Sequence, residues 1–223
     1  MTMRIAVAIS GRGSNLEALH QALKSGAAAE IVLIVSDRAD AAGLERARQW
    51  DIPAEVLPQP ADGALWIALL RRYAVDLVVL AGYLKLVPAN VIAAYRGRII
   101  NVHPALLPAF GGRGMYGRRV HEAVLASGAR ETGVTVHLVD EAYDHGATLA
   151  QARVPVLPGD TPEVLARRVL ELEHRLLPAV VLAAAQAGGP VVLNESGVTS
   201  QESGAATAPE TKLPTPDSRL PTP

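Results

Sequence analysis

Short, continuous apolar runs alternate along the chain with segments whose apolar residues recur every three or four positions. Ile5 to Ile9 is the first run, and it ends in Ser10-Gly11-Arg12-Gly13-Ser14-Asn15. Leu16, Leu19 and Leu23 then follow at helical spacing, with Lys24 and Gly26 as stop signals. The pattern repeats with a run at Ile31 to Val35, Asp40 as a candidate helix cap, and a helix through Leu44, Ala47 and Trp50. A short strand at Ala54 to Leu57 precedes a helix from about Asp62 to Tyr73. Leu77 to Leu80 suits a strand buried on both faces, and Pro88 suits the first turn of a short helix ending near Tyr95.

Ile99 and Ile100 read as the end of another buried strand, followed by a glycine-laden loop from Ala109 to Gly117. A helix from about Val120 to Ser127 stops at Gly128. Val134, Val136 and Leu138 alternate with Thr135 and His137, which predicts a strand with one less buried face. Asp140 to Gly146 is a polar turn, and Leu149 to Val156 a further strand. Asp160-Thr161-Pro162 opens a long helix running to Ala187, whose stretch from Leu176 reads as buried. The alternation predicts an α/β fold with a doubly wound, mostly parallel sheet, and antiparallel pairing near Val134 to Val156.

From Gly188 the character changes. Six of the 16 prolines fall in the last 34 residues, among Ser, Thr, Gly and Glu. Residues 1–190 are therefore expected to form one domain and 191–223 a disordered Pro/Ser/Thr-rich tail. The 223 residues carry a formal net charge of −1 with no block of like charge, which argues against nucleic-acid and anionic-membrane partners. There are no cysteines, so disulfides, thiolate metal sites and cysteine nucleophiles are excluded, and a reducing cytoplasm is the expected setting. No apolar run reaches membrane-spanning length, and the N-terminus lacks a signal-peptide pattern.

Candidate chemistry sits at strand ends. Asn101 and His103 lie two positions apart, so an extended backbone projects both side chains from one side, and Pro104 closes the segment. They read either as an ordinary strand-end pair or as a ligand-facing pair, since open α/β sheets bind ligands at the carboxyl ends of their strands. The Gly11 to Asn15 loop joins strand to helix, where glycines and a helix N-terminus suit a phosphate; the alternative is a tight turn capped by Ser14 or Asn15. The third glycine of a dinucleotide fingerprint would fall at Leu16, and no Gly-Lys-Ser/Thr follows, so a phosphate monoester fits better than NAD or ATP. Asp144 is either a turn cap or a partner of His103 that charges the imidazole and raises its pKa. His145 reads as solvent-facing. His103, His121, His137 and His145 lack metal-ligand spacing, so no metal is expected. Glu171 suits a solvated pair with Arg175 or Arg167, while Glu173 departs from that pattern only if a ligand amine needs a counter-charge.

Ser10 to Asn15, Ser36 to Ala47, Val78 to Gly82, Asn101 to Pro108, Gly133 to His137, Asp144 and Glu173-His174 together resemble the phosphoribosylglycinamide formyltransferase family. The resemblance runs from about Arg4 to Ala187. It implies a Rossmann-like formyltransferase domain that transfers a formyl group from 10-formyltetrahydrofolate to the glycine amine of phosphoribosylglycinamide in purine synthesis. It also implies a catalytic trio of Asn101, His103 and Asp144, a phosphate loop of Gly13, Ser14 and Asn15, and Glu173 near the substrate amine. Leu84, Lys85, Leu86 and Val87, with Asn101 and the Asp140 to Asp144 turn, fall on the folate pocket. No metal is implied, and the chain is expected to be a monomer or homodimer.

Departures from the family pattern are Arg119 in place of a helper histidine, extra residues in Gly111 to Tyr116, and a shortened Pro58 to Leu69 segment lacking a folate-side arginine. Methionyl-tRNA formyltransferase and formyltetrahydrofolate deformylase share a related core. The first is disfavoured by a short, neutral stretch after Gly188, the second by a glycine loop that starts at Ser10. A non-catalytic sugar-phosphate-binding module is the alternative from another class.

Overall fold

The computed structural model describes residues 2–24 and 28–193. The stop signal at Gly26 and the tail from residue 194 lie outside the described residues.

The elements follow the apolar pattern: β1 (Met3–Ile9), α1 (Ser14–Leu23), β2 (Ala29–Ser36), α2 (Ala42–Gln49), β3 (Ala54–Val56), α3 (Gly63–Arg72) and β4 (Leu77–Leu80). Then come α4 (Ala89–Ala94), β5 (Ile99–His103), α5 (Arg118–Ala126), β6 (Glu131–Leu138), β7 (Thr148–Pro155) and α6 (Pro162–Ala187). Among the described residues the sheet has seven strands in the order β3-β2-β1-β4-β5-β6-β7. The first five pair in parallel, and β6 and β7 add antiparallel.

Alternate residues of β1 serve opposite faces. Ile5, Val7 and Ile9 pack with α1, α2, α5 and α6, while Ala6 and Ala8 pack with α3 and α4. Both faces are thus covered, which is why β1 and β4 read as unbroken apolar runs. The chain turns from one side of the sheet to the other at β1, whose neighbours are β2 and β4. This reversal opens a crevice at the carboxyl ends of the strands.

Helices α3 and α6 start on a side-chain cap. Asp62 Oδ1 accepts from the N–H groups of Ala64 and Leu65 at 3.0 Å, and Thr161 Oγ1 from that of Val164 at 3.3 Å. Asp40 does not cap α2. Its carboxylate pairs with Arg38 at 2.8 Å, and the helix begins after Ala41 without a side-chain cap. Trp50 lies just past the end of α2 and stacks on His20 with ring centroids 3.8 Å apart.

β6 also differs from expectation, because both of its faces are buried: Thr135 and His137 are as sealed as Val134 and Val136. Leu193 N–H donates to Leu149 O at 2.8 Å, so packed chain continues past Pro190. No helix among the described residues is long and apolar enough to cross a membrane.

Candidate active site

The carboxyl ends of β1, β4 and β5 open on a cavity of about 1150 Å3, lined also by the β6–β7 turn and one face of α6. Its polar centre is built on β5. In the antiparallel register Asn101 lies opposite His137 and His103 opposite Thr135. His103 is 3% exposed; its Nε2 lies 2.9 Å from Phe110 O and its Nδ1 3.5 Å from Asp144 Oδ2. A nitrogen that close to a carbonyl oxygen carries a proton, so the neutral ring is the Nε2–H tautomer with Nδ1 bare. His137 Nδ1 is 2.7 Å from Leu138 O, and its Nε2 lies 3.0 Å from Asn101 Nδ2.

Asp144 joins these groups. Its Oδ1 accepts from Asn101 Nδ2 at 3.4 Å and sits 3.5 Å from His137 Nε2, while Oδ2 accepts from Gly112 N–H at 2.9 Å. Burial alone would raise its pKa, but the His137, His103 and Gly112 contacts outweigh burial and hold the carboxyl below its ordinary range. His103 goes the other way from the sequence-based expectation. Burial pulls its pKa below the ordinary histidine value, and Asp144 and the Phe110 carbonyl only partly offset that. The Asp144 carboxylate is close to the ring, but the desolvation of a sealed imidazole outweighs it.

The loop after β5 therefore grips both members of the pair, His103 through Phe110 O and Asp144 through Gly112 N–H. Gly111 lies tightly between them: a Cβ there would lie 2.4 Å from Leu107 Cδ2, the movable end of a side chain, and 3.1 Å from Asp144 Cβ, which would have to give by a few tenths of an ångström. Gly111→Ala is expected to displace Asp144 and lower turnover roughly 10- to 100-fold. Steady-state kinetics checks this, and wild-type kcat in the variant would contradict it.

The second polar centre joins α1 to α6. Gly13 caps α1 at φ 73°, and no side chain caps the helix, so Ser14 and Asn15 do not serve as the alternative turn caps. The Gly13 Cα packs against Gly43, where a Cβ would come within 2.9 Å of Gly43 Cα. The first N–H groups of α1 thus point to the cavity without a side-chain partner, an arrangement that suits an anion. Asn15 Nδ2 donates to Glu173 Oε2 at 2.5 Å, and Asn15 Oδ1 is sealed without a partner among the described residues. Burial pushes Glu173 up to about 7, slightly offset by the Asn15 hydrogen bond.

The family model described as Formyl transferase matches residues 3–181. The chain belongs to the formyl transferase family. It is 48% identical over 191 residues to the chloroplastic phosphoribosylglycinamide formyltransferase of Arabidopsis thaliana, and 46% over 190 residues to that of Vigna unguiculata. Each match covers 82% of this chain, which spans 65% and 61% of the length of the two plant proteins. The crystal structure of phosphoribosylglycinamide formyltransferase from Anaplasma phagocytophilum is similar with a TM-score of 0.78 and 39% identity, covering 84% of this chain and 88% of that one.

In this formyl transferase the remaining candidate residues fall unevenly around the cavity. Leu84, Lys85, Leu86 and Val87 all line it; Leu84 and Leu86 are exposed, Val87 is buried, and Leu84 N–H is held by Ser10 Oγ at 2.9 Å. Asp140 is not part of the lining. It accepts from Ala142 N–H at 3.0 Å and pairs with the exposed His145 at 3.2 Å. Arg119 is not part of the lining either; its guanidinium lies 5.5 Å over the ring of Tyr116, which is. Arg175 donates to the Glu171 backbone carbonyl at 3.3 Å rather than to its carboxylate. Among the described residues no group of three His, Asp or Glu side chains is arranged to hold a metal ion. Sequence reasoning passed over His137 and the Phe110 to Gly112 backbone as parts of this centre. The polar letter at His137 within an apolar strand was the available signal.

Proposed function

We propose that this formyl transferase moves the formyl group of 10-formyltetrahydrofolate to the glycine amine of phosphoribosylglycinamide, a step of purine synthesis. One observation carries the reading: an uncapped, glycine-led helix N-terminus and the Asn101–His103–Asp144 cluster open on the same cavity. A sugar phosphate anchored at the first reaches the second with its amine. The plant relatives' name agrees with this assignment.

The folate supplies the formyl carbon and a nitrogen leaving group. The apolar Leu84, Leu86 and Val87 wall, with Tyr143 from the β6–β7 turn, fits a flat ring system of that kind. Gly13, Ser14 and Asn15 hold the phosphate through backbone N–H groups, and Glu173 meets the donors of the sugar and glycinamide portion. Asp140 acts only by shaping the turn that carries Asp144.

His103 enters neutral, because burial disfavours its charged form. Its bare Nδ1 takes the proton of the amine as the new C–N bond forms, and Asp144, kept ionised, stabilises the imidazolium. The same proton then passes to the folate nitrogen as the old C–N bond breaks. Asn101 donates to the formyl oxygen as negative charge builds there; its longer contact, 3.4 Å to Asp144, is the one a substrate oxygen displaces. Residues 1–190 form the formyl transferase domain in this reading, with 191–223 outside the chemistry. A cysteine-free chain acting on small molecules suits the cytoplasm.

The test is product analysis with purified protein, 10-formyltetrahydrofolate and either phosphoribosylglycinamide or its dephosphorylated analogue. Formylation of the phosphorylated acceptor, with at least a tenfold loss of kcat/KM without phosphate, is expected; about 1.4 kcal/mol of phosphate binding suffices for that factor. Release of free formate at the same rate without an acceptor would instead mark a deformylase.

A further inference from the structure

His121 is a polar group at the cavity that the proposed reaction leaves idle. It sits on the inward side of α5 with Val120 and Val124, is 4% exposed, and lines the cavity together with His103. Its two ring nitrogens are unequal. Nδ1 is sealed and has no hydrogen-bond partner among the described residues. Among the described residues Nε2 meets no acceptor and is not sealed, and because His121 lines the cavity this is the nitrogen placed to open on it.

A neutral imidazole carries one proton. On Nδ1 that proton would be a buried donor without an acceptor, whereas on Nε2 it projects into the cavity, so the ring is the Nε2–H tautomer. A second proton would have to go on the sealed nitrogen. Burial and the neighbouring His103 both lower the pKa, in line with that constraint. His121 therefore stays a neutral donor beside the centre. Arg119, two residues earlier on the same helix, is turned to Tyr116 and does not compete for the position.

We propose that His121 Nε2–H donates a hydrogen bond to a carbonyl oxygen of the bound substrates and is a further catalytic residue of this site. The assignment rests on the formyl-transfer reading. A neutral donor polarises a carbonyl without placing a second positive charge next to the His103 imidazolium. Two carbonyls come within the chemistry, that of the formyl group and that of glycinamide, and kinetics separates them.

The test uses the full chain with His121→Phe, which removes the donor, and His121→Gln, which keeps one. If the formyl oxygen is the acceptor, His121→Phe lowers kcat about 10²–10³-fold with KM unchanged. If the glycinamide oxygen is the acceptor, it raises KM for phosphoribosylglycinamide about tenfold with kcat unchanged. Either result supports the donor, provided His121→Gln stays within about tenfold of wild type. Wild-type kcat and KM in His121→Phe, or equal damage by Gln and Phe, would overturn it. Long-range 15N–1H NMR gives a readout that needs no turnover: Nε2–H at neutral pH, with a shift on adding phosphoribosylglycinamide. That signature in a protein that transfers nothing would refute the formyl-transfer reading alone. A charged ring or the Nδ1–H tautomer would refute the donor.

Discussion

Replacing Asp144 by Asn is expected to lower kcat for formyl transfer by about 10²–10⁴-fold while leaving the affinity for phosphoribosylglycinamide close to wild type. Asn keeps the shape of the side chain and can still accept from Gly112 N–H, so the loop grip survives. The negative charge does not. Without it, the imidazolium formed at His103 is a buried cation with a carbonyl on one nitrogen and a neutral amide near the other. Proton acceptance at Nδ1 then becomes unfavourable. Steady-state kinetics with calorimetric binding separates the two effects, and a kcat near wild type would sink the assignment. Combining Asp144→Asn with His103→Ala should cost little more than either change alone, because the two groups act on one proton. In the wild type, burial keeps His103 available as a base to pH values below 6.5, and Asp144 stays ionised throughout that range.

Glu173→Gln is expected to stabilise the protein, and only at neutral and alkaline pH. Glu173 is 8% exposed and its pKa is raised by burial from 4.5 to about 7. Below pH 4.5 the carboxyl is protonated in both folded and unfolded chains and contributes no difference. As pH rises, the unfolded chain ionises freely while the folded one must either hold the proton or bury a charge. Stability is therefore lost progressively, and the full deficit is reached above about 7. A shift of that size corresponds to about 3 kcal/mol. Gln can accept the same Asn15 hydrogen bond without titrating. Melting temperatures of the two proteins should coincide near pH 4 and diverge by roughly 6–12 °C near pH 8. Parallel curves across that range would contradict the buried-acid account.

Much of the frame was legible because parallel strands covered on both faces write themselves as unbroken apolar runs; Leu77 to Leu80 is such a strand, with all four residues buried. Asn101 and His103 were legible for a geometric reason, since spacing of two in a strand puts both on one face. Asp144 was legible from the residues only as one of two alternatives, a turn cap or a partner of His103, because a turn aspartate is an ordinary letter; the family pattern favoured the second.

The failures share a physical origin in contacts distant along the chain. Alternation in Val134 to Leu138 predicted a less buried face, but Thr135 and His137 face the end of β5, where Thr135 Oγ1 donates to Ala105 O at 2.7 Å. Polar letters there mark a site and not solvent, and only the antiparallel register with β5 distinguishes the two. Asp40 looked like a cap until Arg38 claimed it. The lowered pKa of His103 required its burial to be known, and the hold of Phe110 and Gly112 comes from backbone atoms that no residue letter reveals.

In the proposed reaction His103 moves the proton of the formyl transfer. Single-turnover rates with 10-formyltetrahydrofolate and phosphoribosylglycinamide, measured for wild type and His103→Ala with both ligands bound, test it most directly. The account predicts transfer by the wild type and a loss of about 10²–10⁴-fold in the variant. A folded wild type that binds both ligands and transfers nothing, or a His103→Ala protein that transfers at the wild-type rate, would contradict it.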